Sequence, residues 1–543
     1  MTEAIKRTLR DSAPTRWLML VMVSVLMFAT YWFQDFLSGL KPLMESQMGI
    51  TSSQFGTIIG MTTFANVFGM IIVGGIVLDK WGIRLTAFIF GGVTILGTVI
   101  MALGANGVIA STPDAKLTAM IIGRVLFGVG LETTCVLVTR TVVKWFKGYE
   151  LALALAINMG IGRLGSALGT AISPDIAGKN PPTAITFAAG LIVLGVLFYF
   201  IYLIFDVRID RQLKEEAGAC DEEPFRFSDL GKLATDRSFI AIALLCVAFY
   251  SAVFPFMQYA PDLLVNKFGF SYELPESARI VLFGSGSLGN VSIYVAFFLF
   301  GILFSILPTY LKKRSTRFAL MAAMLVLFAA FLYALRGTLA VWLHNGPKAA
   351  GLIPLGTILF TPIFGRIVDK KGKAASLMML GSLLLIFAHL SLSVFNSELL
   401  CYFGLLSLGI AFSLVPAAMW PSVAKIVPER RLGTAYAAMF TVQNWGLGLF
   451  YKGIGTLLDK VNPEVVAKMR QLRSSLAAQG LDNAAISEKI ESMRLAGEIP
   501  VYDYTIPILM LVGCGVISIF LAFYLKKASN RQGYGLELPS DKK

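Results

Sequence analysis

Two stretches of this chain read almost alike. Gly75-Ile76-Val77-Leu78-Asp79-Lys80-Trp81-Gly82-Ile83-Arg84 and Gly365-Arg366-Ile367-Val368-Asp369-Lys370-Lys371-Gly372-Lys373 each follow a long apolar run, and each places Gly-x-x-x-Asp-Lys-x-Gly at its exit. A repeated exit signal of this kind implies two copies of one helical bundle, facing each other across a lipid layer.

Composition supports the lipid. Of 543 residues, 56% are hydrophobic and only 15% charged, with a mean hydropathy of +0.72. Soluble domains carry about 25% charged residues. In a bilayer every backbone polar group needs an internal partner, so only helices or closed barrels span it. Runs of about twenty apolar residues, not ten-residue alternating ones, select helices. The expectation is an all-α membrane protein of about 14 transmembrane helices, each crossing taking roughly 20 residues.

The chain divides into an N-terminal six-helix bundle at 1–207, a polar linker at 208–236 and a C-terminal bundle at 237–543. In the first half the Gly-x-x-x-Asp signature ends the second span; in the second half it ends the fourth. Two spans are therefore extra, which marks 283–338 as an inserted hairpin with the basic turn Lys312-Lys313-Arg314-Ser315-Thr316-Arg317. Residues 458–503 mix acids and bases without a span-length apolar run and read as a small helical lobe on the periplasmic side. Lys and Arg cluster at Asp79–Arg84, Lys144–Lys147, the linker, Lys312–Arg317, Asp369–Lys373, Lys425–Arg431 and Lys526–Arg531. That distribution puts both termini in the cytoplasm by the positive-inside rule. It also explains the net charge of +14 without nucleic acid. The lobe, with Lys460, Lys468, Arg470, Arg473, Lys489 and Arg494, is the one basic stretch on the other side.

Five cysteines (Cys135, Cys220, Cys246, Cys401 and Cys514) show neither disulfide nor zinc spacing, and only His344 and His389 could add imidazole ligands. No metal or cofactor is expected. No Ser-His-Asp, paired-carboxylate or metal-ligand set converges, so an enzyme is not expected either.

The charges inside spans carry the most information, since an ionisable group near the bilayer centre costs about 2.5–3.5 kcal/mol on insertion scales. Four stand out: Asp35, Arg124, Glu132 and Arg163. At a rise of about 1.5 Å per residue, Glu132 lies roughly 5 Å to the cytoplasmic side of its helix midpoint, and Arg163 roughly 4 Å to the opposite side of its own. A direct ion pair requires both side chains to converge. A small zwitterion bridging them fits as well, its amine toward Glu132 and its carboxylate toward the planar fork of Arg163. Asp35 and Arg124 both fall on the non-cytoplasmic side, where they can pair structurally. Gly160, Gly162, Gly165, Ser166 and Gly169 surround Arg163. Residues that small let helices touch closely, or leave space beside a cavity.

The two signatures resemble the loop motif between the second and third helix of each half of the major facilitator superfamily. Arg124-Val125-Leu126-Phe127-Gly128-Val129-Gly130 resembles its fourth-helix motif, and the Gly-Pro dipeptide of its antiporters is absent from the fifth span. The resemblance implies the major facilitator fold, two six-helix bundles that rock about a midplane site. Gly75 and Gly82 would then let helix ends approach closely. Asp79, Lys80, Arg84, Asp369 and Lys370 form the expected latch at the cytoplasmic surface, and Arg124 and Asp35, on the other side, complete the expected gating set.

Gly128-Val129-Gly130-Leu131-Glu132, Trp145 to Leu151, Gly162-Arg163-Leu164-Gly165-Ser166, Ala252-Val253-Phe254-Pro255-Phe256, Phe268-Gly269-Phe270-Ser271 and Gln443-Asn444 resemble one subfamily, that of the lysosomal dipeptide uniporters. The resemblance implies that Glu132 and Arg163 hold the two peptide termini. Tyr31, Gln34, Tyr250, Gln258, Gln443 and Asn444 complete the expected binding set. The Glu-x-x-Glu-Arg motif of proton-coupled peptide symporters is missing from the first span, which reads Tyr31-Trp32-Phe33-Gln34-Asp35. The hairpin and the lobe depart from the animal pattern, which leaves open an accessory membrane subunit. The expected partners are a dipeptide or small zwitterion and the bilayer itself, in a bacterial inner membrane. The alternatives are an organic-anion or monocarboxylate carrier using Arg163 and Arg124, and a non-transporting scaffold with the lobe as docking surface.

Overall fold

The computed structural model describes residues 9–214, 227–275, 278, 286–428 and 431–539. Twenty α-helices account for most of them, and the described residues contain one isolated β-bridge, Ser271 to Asn345, and no strand. In the first half these are α1 Ala13–Asp35, α2 Lys41–Met48, α3 Ser52–Gly60, α4 Phe64–Val67, α5 Met70–Ala105, α6 Pro113–Phe146, α7 Leu151–Ala177 and α8 Pro181–Lys214. Then come α9 Phe227–Leu233, α10 Arg237–Phe268, α11 Gly286–Ile306, α12 Arg314–Ala334, α13 Arg336–Leu343, α14 Gly346–Lys371, α15 Ala374–Ser393, α16 Glu398–Ile426, α17 Leu432–Val461, α18 Pro463–Ala478, α19 Asn483–Leu495 and α20 Thr505–Gln532. Eleven are long and apolar enough to cross a membrane, or twelve if the pair Ser52–Val67 and Met70–Leu78, bent by 54°, counts as one span. That set does not include α7 and α17, of 27 and 30 residues, which carry much of the polar interior.

Local chemistry sets the breaks. Thr51 and Gln54 form a reciprocal capping box that starts α3. The first signature sits at the kink where two helices meet within α5: the path turns non-helical at Gly82, whose φ of +75° is open to glycine and costly for other residues. In the second copy Gly372 takes φ +69° in the same place and ends α14. A Cβ at Gly75, Gly82 or Gly365 would meet nothing within 4 Å, so close approach is not their reason. The last glycine of each repeat is there for its backbone angle. At Gly372 there is also a close neighbour: a Cβ would stand 2.4 Å from the Leu538 carbonyl carbon, because the chain after α20 folds back over the start of α15. Glu537 accepts from the Ser376 amide at 2.9 Å and its hydroxyl at 2.8 Å, and Lys425 donates to the carbonyls of Gly535 and Leu538 at 3.1 and 2.8 Å.

In the first half α1 packs on α7 and α8, and α5 on α6 and α8; in the second α10 packs on α17 and α20, and α15 on α16 and α20. The halves meet through α3 with α17 and through α7 with α14. The expected linker begins later than 208, since α8 continues to Lys214 with Asp210 bonded to Arg84 and Lys144; residues 215–226 lie outside the described residues. The inserted hairpin is two helices of unequal standing. α11 packs against α7 and α14, whereas α12 has no buried residue. The Asn290-Val291-Ser292 sequon is enclosed: Asn290 is 2% exposed and donates to Asp175 at 3.0 Å. In the lobe, α18 and α19 close over a small core of Leu476, Ile486, Ile490 and Ile499.

Candidate functional site between the two halves

Glu132 on α6 and Arg163 on α7 are both half-buried, and both face the second half. The Asn444 side chain, on α17, is within hydrogen-bonding reach of Glu132. The Arg163 guanidinium lies 4.7 Å from the Phe412 ring centroid on α16 and 5.7 Å from that of Tyr31 on α1. Glu132 and Arg163 make no ion pair within 4.0 Å, so each keeps its charge available to a third group. Cys135 lies one turn on from Glu132, near both charges and Tyr31.

Tyr250 on α10 accepts a hydrogen bond from Trp420 Nε1 at 3.0 Å and stacks on Phe254 at 5.3 Å. Trp420 in turn stacks on Phe440 at 4.8 Å. These rings make an aromatic wall opposite Arg163. Gln443 is buried and accepts from the Cys246 thiol at 3.4 Å; Asn444 is buried and donates to the Phe440 carbonyl at 2.9 Å.

Asp35 ends α1 at 5% exposure, where Ser166 donates to it and Gln258 donates at 2.6 Å. Gln258 belongs to α10, so this carboxylate ties the two halves together. Its expected pair with Arg124 is not formed. Arg124 is fully buried among Phe33, Phe36 and Phe127, with ring centroids at 5.0, 5.5 and 5.8 Å, and donates to the Gln34 carbonyl at 3.4 Å. The aromatic faces take up its charge instead of the carboxylate. The Gln34 side chain turns toward Tyr451 of α17.

At the face that carries the termini, Arg84 bonds Asp206 at 3.0 Å and Asp210, both on α8, while Lys144 bonds the same two at 2.6 and 2.5 Å. This cluster joins α5 and α6 to α8 and stays within the first half. Lys80, Asp369 and Lys370 are exposed and in no ion pair among the described residues, and the Asp79 side chain lies outside those residues. Of the latch expected from the signatures, Lys80, Asp369 and Lys370 make no such contact among the described residues, and Arg84 pairs within its own half.

The opposite, distal face carries the charges that sequence reasoning missed. Lys41, 2% exposed, bonds Asp262 of α10 at 2.7 Å. Lys348 of α14 bonds Asp175 of α7 at 2.8 Å, and Lys179 bonds Glu488 of the lobe at 2.8 Å. Tyr504 also donates to Asp262, Tyr502 donates to Glu45, and Asp459 accepts from the Ser52 and Ser53 amides at 3.1 and 2.8 Å. Every ion pair between the halves among the described residues lies on this face, so the interior is shut distally. Lys41, Asp262, Asp175 and Lys348 each sit near the end of a span, where sequence alone reads a charge as topology.

Two bundles of this connectivity, with opposite charges in the interior and one closed face, have the build of a membrane carrier. The chain belongs to the major facilitator superfamily: residues 18–347 and 343–451 match the family profile. It is 26% identical over 457 residues to the lysosomal dipeptide transporter MFSD1 of Danio rerio, covering 82% of this chain and 81% of that one. To the Homo sapiens MFSD1 it is 25% identical over 458 residues, covering 82% and 80%. Its fold matches a bacterial homolog of the human lysosomal transporter Spinster, solved inward-facing and occupied, with a TM-score of 0.55 at 13% identity, covering 96% and 98%. Family and relatives are transporters, not enzymes.

Proposed function

We propose that this protein carries small peptides, dipeptides above all, across a bacterial inner membrane by alternating access, with both termini in the cytoplasm. The observation that carries the reading is the separation of Glu132 and Arg163: two opposite charges in the interior, half-open, unpaired with each other, each met by groups of the second half. A zwitterion of dipeptide length neutralises both at once, its amine at Glu132 and its carboxylate in the Arg163 fork. The Tyr250, Trp420 and Phe412 wall accepts the side chains. The names of the MFSD1 relatives support the substrate class, and the Lys- and Arg-rich segments of the terminal face support the orientation.

Uptake of a radiolabelled alanine dipeptide and of a monocarboxylate into proteoliposomes tests this. A hydrogen bond to a charged group contributes about 1.5–3 kcal/mol, so Glu132→Gln and Arg163→Gln should each cut dipeptide uptake about tenfold or more. Wild-type dipeptide uptake in both variants defeats the reading. Monocarboxylate uptake that needs Arg163 and ignores Glu132, with no dipeptide uptake at all, replaces it with the organic-anion carrier.

A further inference from the structure

A cavity of about 300 Å³ opens on the distal face between the first half and the lobe. Its wall takes Gln47, Asn106, Lys116 and Asn180 from the first half, and Arg473 and Asn483 from the lobe. The lining holds two cations and four amides and no carboxylate. Of the acids beside lining residues in the chain, Asp482 caps its own helix through the Ala485 amide at 2.8 Å, and Asp114 is exposed in the first turn of α6. Lys116 is half-buried and makes no ion pair, and Arg473 donates only to the Ser46 carbonyl, at 3.3 Å. Gln47 is 4% exposed and its amide nitrogen has no partner. A buried donor without an acceptor is rare and costly in a finished fold. The starts of α6 and α8, each 34 residues long, also border the cavity, through Pro113 and Pro182. Helix starts carry partial positive charge.

We propose that this cavity binds a phosphate-type oxyanion, and that the bound anion fastens the lobe to the first half and so holds the distal face shut. Lys116, Arg473 and the Gln47 amide supply three donors to one tetrahedral group. Two of them sit on one half and the third on an arm of the other, so the anion spans a seam that opens whenever the halves part there. Burial with no acid beside it holds the Arg473 guanidinium below its ordinary pKa, the mark of a cation awaiting its counter-ion. Neither Glu132 nor Arg163 takes part, and the site stands whatever the cargo.

The test titrates inorganic phosphate, at fixed ionic strength, into the full chain purified in a maltoside detergent, reading the thermal midpoint and hydrogen exchange across 463–495. Saturable stabilisation and slowed exchange in the lobe are expected. Lys116→Gln and Arg473→Gln should weaken the apparent affinity about tenfold each, and Lys489→Gln, an exposed cation of the lobe outside this cavity, should not. Ser111→Glu, which places a carboxylate on the wall, should abolish the phosphate response and serves if a charge variant folds poorly. In phosphatidylglycerol nanodiscs without added phosphate, lobe protection that is lost in Lys116→Gln assigns the anion to a lipid headgroup. Protection that appears only on adding phosphate assigns it to a free ion. No saturable response in detergent or nanodiscs, or responses of Lys116→Gln and Ser111→Glu that equal the wild type, would overturn the proposal.

Discussion

Lys41 shows what a single buried charge does in this chain. Its ammonium is out of water, 2.7 Å from Asp262 and 3.9 Å from Glu45, on the line where the halves meet. Removing one member of a buried pair strands the other and costs about 3–5 kcal/mol, whereas replacing both by apolar side chains is often near neutral. Lys41→Met should therefore lower the unfolding stability of the detergent-purified protein by that amount, and Lys41→Met with Asp262→Leu should recover most of it. Additive losses in the double variant would show that the two groups do not act as a pair. Sequence made Glu132 and Arg163 visible because a charge in mid-span has no cheap explanation. Lys41, Asp262, Asp175 and Lys348 stayed hidden because a charge near a span end already has one. Only folding brings Asp175 and Lys348 to 2.8 Å. The Asp35–Arg124 pairing failed for a related reason: Gln258, distant in sequence, takes Asp35, and the rings of Phe33, Phe36 and Phe127 enclose Arg124.

Helices α1 and α7 show the same lesson one level up. The crowding of small residues around Arg163 left open whether it makes room or makes contact. The fold decides for contact at most of them. A Cβ at Gly165 would stand 2.3 Å from the Phe28 carbonyl oxygen, and one at Gly169 2.9 Å from that of Trp32. Both neighbours are backbone, which cannot step aside. Overpacking typically costs about 1–3 kcal/mol. Gly165→Ala should destabilise by that order, with a lower maximal uptake rate as Arg163 shifts with its helix. On α12 the reverse holds. Leu327 is 71% exposed, so Leu327→Ala should change stability by no more than about 0.5 kcal/mol; a larger loss would mean that α12 packs against protein after all. The two hairpin helices were alike in sequence as apolar runs. Their difference, α11 wedged on α7 and α14 and α12 left bare, depends on which surface each reaches.

At the scale of the whole molecule, the repeat made the two-bundle plan legible from one loop motif. The closed face was not legible, because its bonds join residues far apart in the chain, such as Ser46 and Ser487, whose hydroxyls are 2.9 Å apart. If transport needs the distal face to part, fastening that contact must stop it. With Ser46→Cys and Ser487→Cys introduced together, oxidation should abolish uptake and a reductant should restore it, while either single variant stays active. Full uptake by the oxidised double variant would show that cargo leaves without the lobe moving.

The lobe grows from the second half, between α17 and α20, yet rests on the first. It is a hand laid on the neighbour's shoulder, outside the bilayer and in reach of anything dissolved beside it. An antibody fragment wedged beneath α19 would stall the rocking motion from the lobe's own side, without contending with cargo for Glu132 and Arg163.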